Sequence, residues 1–230
     1  MRMCHDKMKR SLEKTVGPTD DDDDECKYIP LTENGSSWIR TFHYSDTAVF
    51  NQLWDLHPAE RAKVMMFGKL TEIPRFQQTF GSKGYNFSGV SHDTVPITPL
   101  IQTFLDYANR VCAPYLESYN GKIFNMALLN WYENGHNHIG AHSDDEKQLA
   151  KNNNGETLVF SISFGATRTF RLHPKDEKDG ENVDFELIHG DALLMGGLCQ
   201  SEFKHSVPKI GGKKGSKVGK RISATCRIFK

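Results

Sequence analysis

Long apolar runs are missing from this 230-residue chain: none approaches the eighteen or more residues of a membrane-spanning helix, so no membrane association is expected. The opening stretch MRMCHDKMKRSLEK lacks the apolar core of a secretory signal, which points to an intracellular protein. Cysteine is sparse and scattered, at Cys4, Cys26, Cys112, Cys199 and Cys226, an odd number with no CxxC spacing. That pattern argues against a disulfide scaffold and a structural zinc cage and for free thiols in a reducing compartment. An excess of either charge is also missing, since 29 Lys and Arg balance 29 Asp and Glu. There is no internal repeat, which removes solenoids and propellers. What remains, with 37% hydrophobic and 25% charged residues, is the composition of one soluble domain with a sizeable core, expected to be a monomer.

The balanced charge is unevenly distributed. Residues 20–25 read DDDDDE, whereas the segment from Lys204 to Lys230 holds nine Lys or Arg and no acid. The acidic block reads as a solvated tail. The basic loop KIGGKKGSKVGKR, from Lys209 to Arg221, is either a solubilising surface or, with glycines freeing its backbone, a grip for a polyanion.

Residues 1–44 are expected to be a largely disordered N-terminal tail and 45–230 the folded domain, divided into a helix-bearing part (45–120) and a β-rich part (121–230). Ser45 is placed to cap a short helix over DTAVFNQLWDLH, ending before Pro58. A second helix starts after Thr98, with Pro99 in its first turn and Leu100, Ile101, Phe104, Leu105, Ala108 and Val111 at helical spacing. Beyond Asn120-Gly121 the texture becomes short β-type runs: KIFNMALLNWYEN, ETLVFSISFG, TRTFRLHP, VDFELIHG, DALLMGG and KRISATCRIF. The economical architecture is α+β: a double-stranded β-helix, or jelly roll, supported by helices on one face.

His142 and Asp144, in IGAHSDDE, are two residues apart and share a face if that stretch is extended. An HxD also occurs in ordinary surface loops. His205, in FKHSVP, is an admissible third ligand from a distant strand, in competition with His136, His138, His173 and His189. Two histidines and one carboxylate are the ligand set of a non-haem Fe(II) centre with open positions. In RISATCR, Arg221 and Arg227 alternate on an apolar strand. They either snorkel to the barrel rim or pair with acids inside it, an organic dicarboxylate being one such acid.

From Phe124 to Phe229 the chain resembles the AlkB family of Fe(II)- and 2-oxoglutarate-dependent dioxygenases, most of all its duplex-DNA alkylation-repair branch. The matching stretches are NWYENGHNHIGAHSDDE, SISFGATRTFRL, HGDALLMGG, KHSVP and RISATCR, in the family's order. Upstream, MFGKLTEIPR and GYNFSG are similar to that branch's nucleotide-recognition segments, so the likeness runs from about residue 45 to the end.

The resemblance implies that His142, Asp144 and His205 bind iron, that Asn130 and Tyr132 hydrogen-bond 2-oxoglutarate, that Arg221 pairs with its distal carboxylate, and that Thr225 and Arg227 complete the pocket. It also implies that Asp145 contacts the target base. Phe67, Gly68, Lys69 and Arg75, with Tyr85, Asn86 and Phe87, would form an N-terminal nucleotide-recognition lid. Phe67 would be a wedge beside an extruded base, although MMF reads equally as a core strand.

The expected reaction consumes O2, converts 2-oxoglutarate to succinate and removes the methyl of 1-methyladenine or 3-methylcytosine as formaldehyde. The expected partner is double-stranded DNA with a flipped base, with single-stranded DNA or RNA as alternatives, and the expected location is intracellular, the nucleus first and the cytoplasm as the alternative. Cys226 and Leu70 stand where the family carries aromatics, which bears on substrate preference. Competing readings are an RNA demethylase of the same family, a non-catalytic nucleic-acid-binding module, and a zinc hydrolase; the last leaves Arg221 and Arg227 without a partner.

Overall fold

The computed structural model describes residues 26–66, 68–82, 85–87, 90–92, 94–176 and 180–230, with the side chains of 66, 85–87 and 90–92 outside the description. Strands β1 (Lys27–Pro30) and β2 (Ser37–His43) come first, and a 3-10 turn at Thr47–Val49 leads into helix α1 (Phe50–Trp54). Next come β3 (Lys63–Met66), β4 (Lys69–Glu72), β5 (Phe76–Phe80), β6 (Tyr85–Phe87), β7 (Val90–His92) and β8 (Thr94–Val95). Helices α2 (Pro99–Val111) and α3 (Ala113–Leu116) precede β9 (Met126–Tyr132), β10 (Ile139–His142), β11 (Val159–Gly165), β12 (Arg168–Pro174), β13 (Val183–Leu187) and β14 (Asp191–Gly197). Short helix α4 (Cys199–Glu202), β15 (Phe203–Val207), short helix α5 (Gly212–Ser216) and β16 (Arg221–Arg227) complete the chain.

Eight strands form the large sheet, in the order β1-β2-β14-β11-β16-β9-β5-β8, and four form a smaller one, β10-β15-β12-β13. Together with the helices behind the large sheet they make the double-stranded β-helix. β3–β4 and β6–β7 are separate two-stranded hairpins.

Period-two alternation places two different materials on the two faces of the large sheet. Ile222, Ala224, Cys226 and Ile228, with Ala127, Leu129 and Trp131 of β9, pack with Ile101, Phe104, Leu105 and Ala108 of α2. Each such fully buried Leu, Ile or Phe contributes on the order of 2 kcal/mol. Thr98 caps α2, its hydroxyl accepting from the Ile101 amide at 3.3 Å. On the other face, Tyr132, Val159, Leu193 and Met195 meet Phe170, Leu172, Phe185 and Phe203 of the small sheet. The pocket opens within this second layer.

Three expectations need correction. The domain boundary at 44 falls too late, because β2 pairs with β14 from Ser37 to His43 and its Ile39 is fully buried between the sheets. Ser45 caps nothing: the helical segment begins without a side-chain cap, and Trp131 Nε1 donates to the Leu53 carbonyl at 2.8 Å, holding its last turn. The lysine loop is not a free coil either. α5 is seated on the β9–β10 loop, where Gly135 N donates to Gly215 O at 2.9 Å and Ile210 N to Gly135 O at 2.8 Å. A Cβ on Gly135 would lie 2.8 Å from Gly215 Cα, so glycine serves close packing there. The lysines at 209, 213, 214, 217 and 220 remain exposed on the outer side of this seat.

Candidate active site

β10 and β15 are antiparallel neighbours, and their register sets His142 directly opposite His205. The two imidazole centroids are 4.2 Å apart. Just past the end of β10, Asp144 turns in between them: its Oδ1 is 3.7 Å from His142 Nε2 and its Oδ2 is 3.8 Å from His205 Nε2. One ligand atom from each residue lies within 4.8 Å of the others, close enough to share a single ion. Among the described residues this is the one such group.

Burial alone would raise the Asp144 pKa, but Arg227, helped by His205 and His142, holds it below the ordinary carboxylate value. His205 is pushed down to about 3, first by burial and then by His142, and burial lowers His142 as well. The site therefore presents a charged carboxylate and two neutral imidazoles, the forms in which these side chains ligate a divalent metal. Asp144 Oδ2 is buried without a hydrogen-bond partner among the described residues, leaving it open to an ion. Arg227 Nη2 donates to Oδ1 at 2.6 Å, and the Asp144 amide donates to Gln200 Oε1 at 2.8 Å, so both ends of the residue are oriented.

β16 supplies the second half of the site. Arg221, Ser223, Thr225 and Arg227 alternate onto the pocket face and line the same cavity as the triad. Arg221 is 2% exposed; its Nη2 donates to Ser163 Oγ at 2.7 Å, while Nε and Nη1 have no well-formed partner among the described residues. A buried guanidinium with two nitrogens lacking a well-formed acceptor is costly, and a carboxylate is the group that relieves it bidentately. Asn130 is 5% exposed and accepts from Arg75 Nε at 2.7 Å, and the ring of Tyr132 lies 5.1 Å from the Arg221 guanidinium carbon. With three arginines (75, 221 and 227) against Asp144, the charged lining is net cationic and suits a dianion.

The structure brings Asn130, Tyr132, His142, Asp144, His205, Arg221, Thr225 and Arg227 to one cavity. It departs from expectation at Arg75 and refines it at Arg227. Arg75 does not lie on an exposed lid; it is 4% exposed in the pocket wall, held by Asn130 and by Gln77 Oε1 at 3.1 Å. Arg227 spends its shortest bond on the metal carboxylate. Asp145 is exposed, and the Glu146 carboxylate lies 3.6 Å from Arg227. Gly68 and Lys69 are exposed at the tip of the β3–β4 hairpin, Gly68 with a φ of +75° that suits its turn. Phe67 and the side chains of Tyr85, Asn86 and Phe87 lie outside the described residues.

The competing histidines are engaged elsewhere: His136 with Ser216 at 3.0 Å, His138 with the His136 carbonyl at 3.0 Å, His173 with Ser206 at 2.8 Å and His189 with the Thr47 carbonyl at 3.2 Å. Sequence reasoning missed Gln200 and Ser163, because a glutamine in a short helix or a serine in a strand carries no spacing signal for a partner 56 or 58 residues away, and it missed Gln77, whose partner Arg75 is only two residues off but was read as part of an exposed segment.

Residues 41–227 match the family model described as the 2OG-Fe(II) oxygenase superfamily. The chain is 37% identical over 155 residues to the DNA oxidative demethylase ALKBH2 of Mus musculus, covering 64% of this chain and 60% of that protein. It is 34% identical over 144 residues to the human alpha-ketoglutarate-dependent dioxygenase alkB homolog 3, covering 59% of this chain and 46% of that protein. The chain thus spans about half to three fifths of the length of these relatives. The solved structure of OsALKBH1 superposes with a TM-score of 0.58 over 88% of this chain and 99% of that one, at 16% identity, a likeness of fold. The triad, the cationic pocket behind it and the match across 41–227 lead to one conclusion: the chain belongs to the 2OG-Fe(II) oxygenase superfamily, as an AlkB-type member.

Proposed function

We propose that this protein is an Fe(II)- and 2-oxoglutarate-dependent dioxygenase that removes methyl groups from alkylated bases of DNA, with 1-methyladenine and 3-methylcytosine as the lesion type and duplex DNA as the preferred form. The observation that carries the reaction class is the placing of the Arg221 N–H groups, which have no well-formed acceptor among the described residues, and of the unpartnered Asp144 oxygen in one cationic cavity. A hydrolase needs the second but has no use for the first.

His142, Asp144 and His205 would hold Fe(II) on one face, leaving the remaining positions for 2-oxoglutarate and O2. When bound, the metal and its cosubstrate supply an oxidant that hydroxylates the N-methyl carbon as 2-oxoglutarate loses CO2 and becomes succinate. The chain's own part is positioning. Arg227 and Gln200 keep Asp144 ionised and aimed, Arg221 with Tyr132 and Ser163 receives the distal carboxylate, and Asn130, braced by Arg75, presents its amide to the cosubstrate. Leu128, Ile139, Phe170, Met195 and Val207 line the same cavity with apolar surface and limit water. The hydroxymethyl group then leaves as formaldehyde and restores the base.

The substrate class rests on the nucleic-acid relatives, the exposed lysines around α5 and the apolar hairpin β3–β4, on which Met65 and Leu70 are paired and 49% and 59% exposed. A base in a duplex must be extruded to reach such a pocket, and an exposed apolar wedge lowers the cost of the gap. The test is demethylation of 1-methyladenine in duplex DNA, single-stranded DNA and RNA by the wild type and by Phe67→Ala. Loss on the duplex with retention on single strands supports the reading. A wild type active on RNA alone contradicts it.

A further inference from the structure

Arg168 opens β12, is 1% exposed, and takes no part in the roles assigned above. Its guanidinium donates to three main-chain carbonyls: Asn137 O at 2.9 Å, Pro208 O at 2.7 Å and Asn134 O at 3.3 Å. Two of these belong to the loop that leads into the His142 strand, and the third follows the strand that carries His205. The same guanidinium lies over the ring of Tyr132 at 5.7 Å from its centroid, and Arg221 lies over that ring at 5.1 Å. Two buried cations around one aromatic ring repel each other, and each lowers its own cost by sharing the ring's negative π surface. A frame that needed only a staple between loops would be served more cheaply by a neutral donor.

We propose that Arg168 is a positioning residue for the cosubstrate. It fixes Tyr132 and ties together the segments that lead into His142 and out of His205, so that Tyr132 and Arg221 meet a dicarboxylate already ordered. Preorganisation of this kind acts on affinity by removing the ordering cost of the pocket. Lysine cannot replace it, because one ammonium lacks the planar fork that reaches three carbonyls while stacking. The inference rests on the reading of Tyr132 and Arg221 as the cosubstrate site.

The test uses Arg168→Lys and Arg168→Met in the full chain. Mn(II)-loaded protein is titrated with 2-oxoglutarate by calorimetry, and Mn(II) binding is followed separately by its EPR signal. In Arg168→Lys the Kd and KM for 2-oxoglutarate rise about tenfold, while kcat and the Mn(II) Kd stay within about twofold. In a Tyr132→Leu background the same substitution changes the 2-oxoglutarate Kd by less than about twofold, because the ring it acts through is gone. Where Tyr132→Leu does not fold, the split between 2-oxoglutarate and Mn(II) affinities decides alone. Unchanged 2-oxoglutarate affinity in Arg168→Lys, an equal loss of both affinities, or failure of Arg168→Lys to fold assigns the residue to the frame only and overturns the proposal. Wild-type protein that binds Mn(II) but no 2-oxoglutarate overturns the reading of the site instead.

Discussion

In the pocket, Asp144 is 1% exposed and is gripped by Arg227 at 2.6 Å and Gln200 at 2.8 Å; in the β3–β4 hairpin, Met65 and Leu70 face each other across the ladder with about half of their surface in water. The pocket is held by charged groups with few alternatives, so each substitution there strands a partner. The hairpin contributes little to the core beyond Val64, and its outward residues can change with small effect on folding. On the proposed function the difference separates two kinds of information: the buried constellation specifies the reaction, and the exposed hairpin and lysines specify what is brought to it.

The contrast is broken most severely at the metal. Asp144→Asn is expected to abolish Mn(II) binding and to lower succinate formation by a factor of about a thousand or more, the cost of losing a charged ligand and its oriented pair. EPR and a coupled succinate assay measure both, and retained metal affinity would show that the triad is misassigned. Next in size, Arg227→Met leaves Asp144 buried without its cation and should destabilise the metal-free protein by about 3 kcal/mol in urea unfolding. Saturating Mn(II) should restore much of that loss, because the ion replaces the missing charge.

Arg221→Met should weaken 2-oxoglutarate about a hundredfold, as expected for losing a buried bidentate charge pair worth about 2–5 kcal/mol, without altering Mn(II) affinity. Calorimetry on the Mn(II)-loaded protein reads it, and a shift below threefold would leave Arg221 outside the cosubstrate site. The smallest expected change in stability is at the hairpin. Leu70→Ser should alter unfolding free energy by no more than about 0.5 kcal/mol while lowering activity on duplex DNA several-fold and sparing single strands. Equal loss on both substrates would remove the hairpin from strand choice.

Gly135→Ala sharpens the same contrast from the other side. The added Cβ meets Gly215 Cα at 2.8 Å and must displace α5 with its lysines. Nucleic-acid affinity should fall and become less steeply salt-dependent, while 2-oxoglutarate binding stays close to wild type.

Much of this was legible in the residues themselves. The catalytic strands announce themselves by period-two runs, and α2 by Thr98, Pro99 and its apolar stripe, because local chemistry and tertiary packing agree there. The triad was readable only once an HxD and a distant histidine were joined by the surrounding motifs, since spacing along the chain carries no information about which strands become neighbours. β1 and β2 were hidden by the acidic run before them and by the polar turn between them, although Ile29 and Ile39 both reach the inter-sheet core. The glycines of the lysine loop read as freedom when at Gly215 the reason is contact, and nothing in the sequence marks His136 and Ile210 as the atoms a side chain there would strike. The family resemblance places Arg227 in the cosubstrate pocket; its tighter hold on Asp144 depends on a three-dimensional distance of 2.6 Å between residues 83 apart in the chain.

On the proposed function the triad and the arginine pocket act as one coupled oxidative site on an alkylated base. The direct measurement is the stoichiometry of products from an oligonucleotide carrying 1-methyladenine, incubated with Fe(II), 2-oxoglutarate and O2. One succinate and one formaldehyde are expected for each methyl lost, with no turnover in Asp144→Asn or without O2. Methyl loss that persists without O2 or 2-oxoglutarate, or tight oligonucleotide binding with neither product formed, would contradict it.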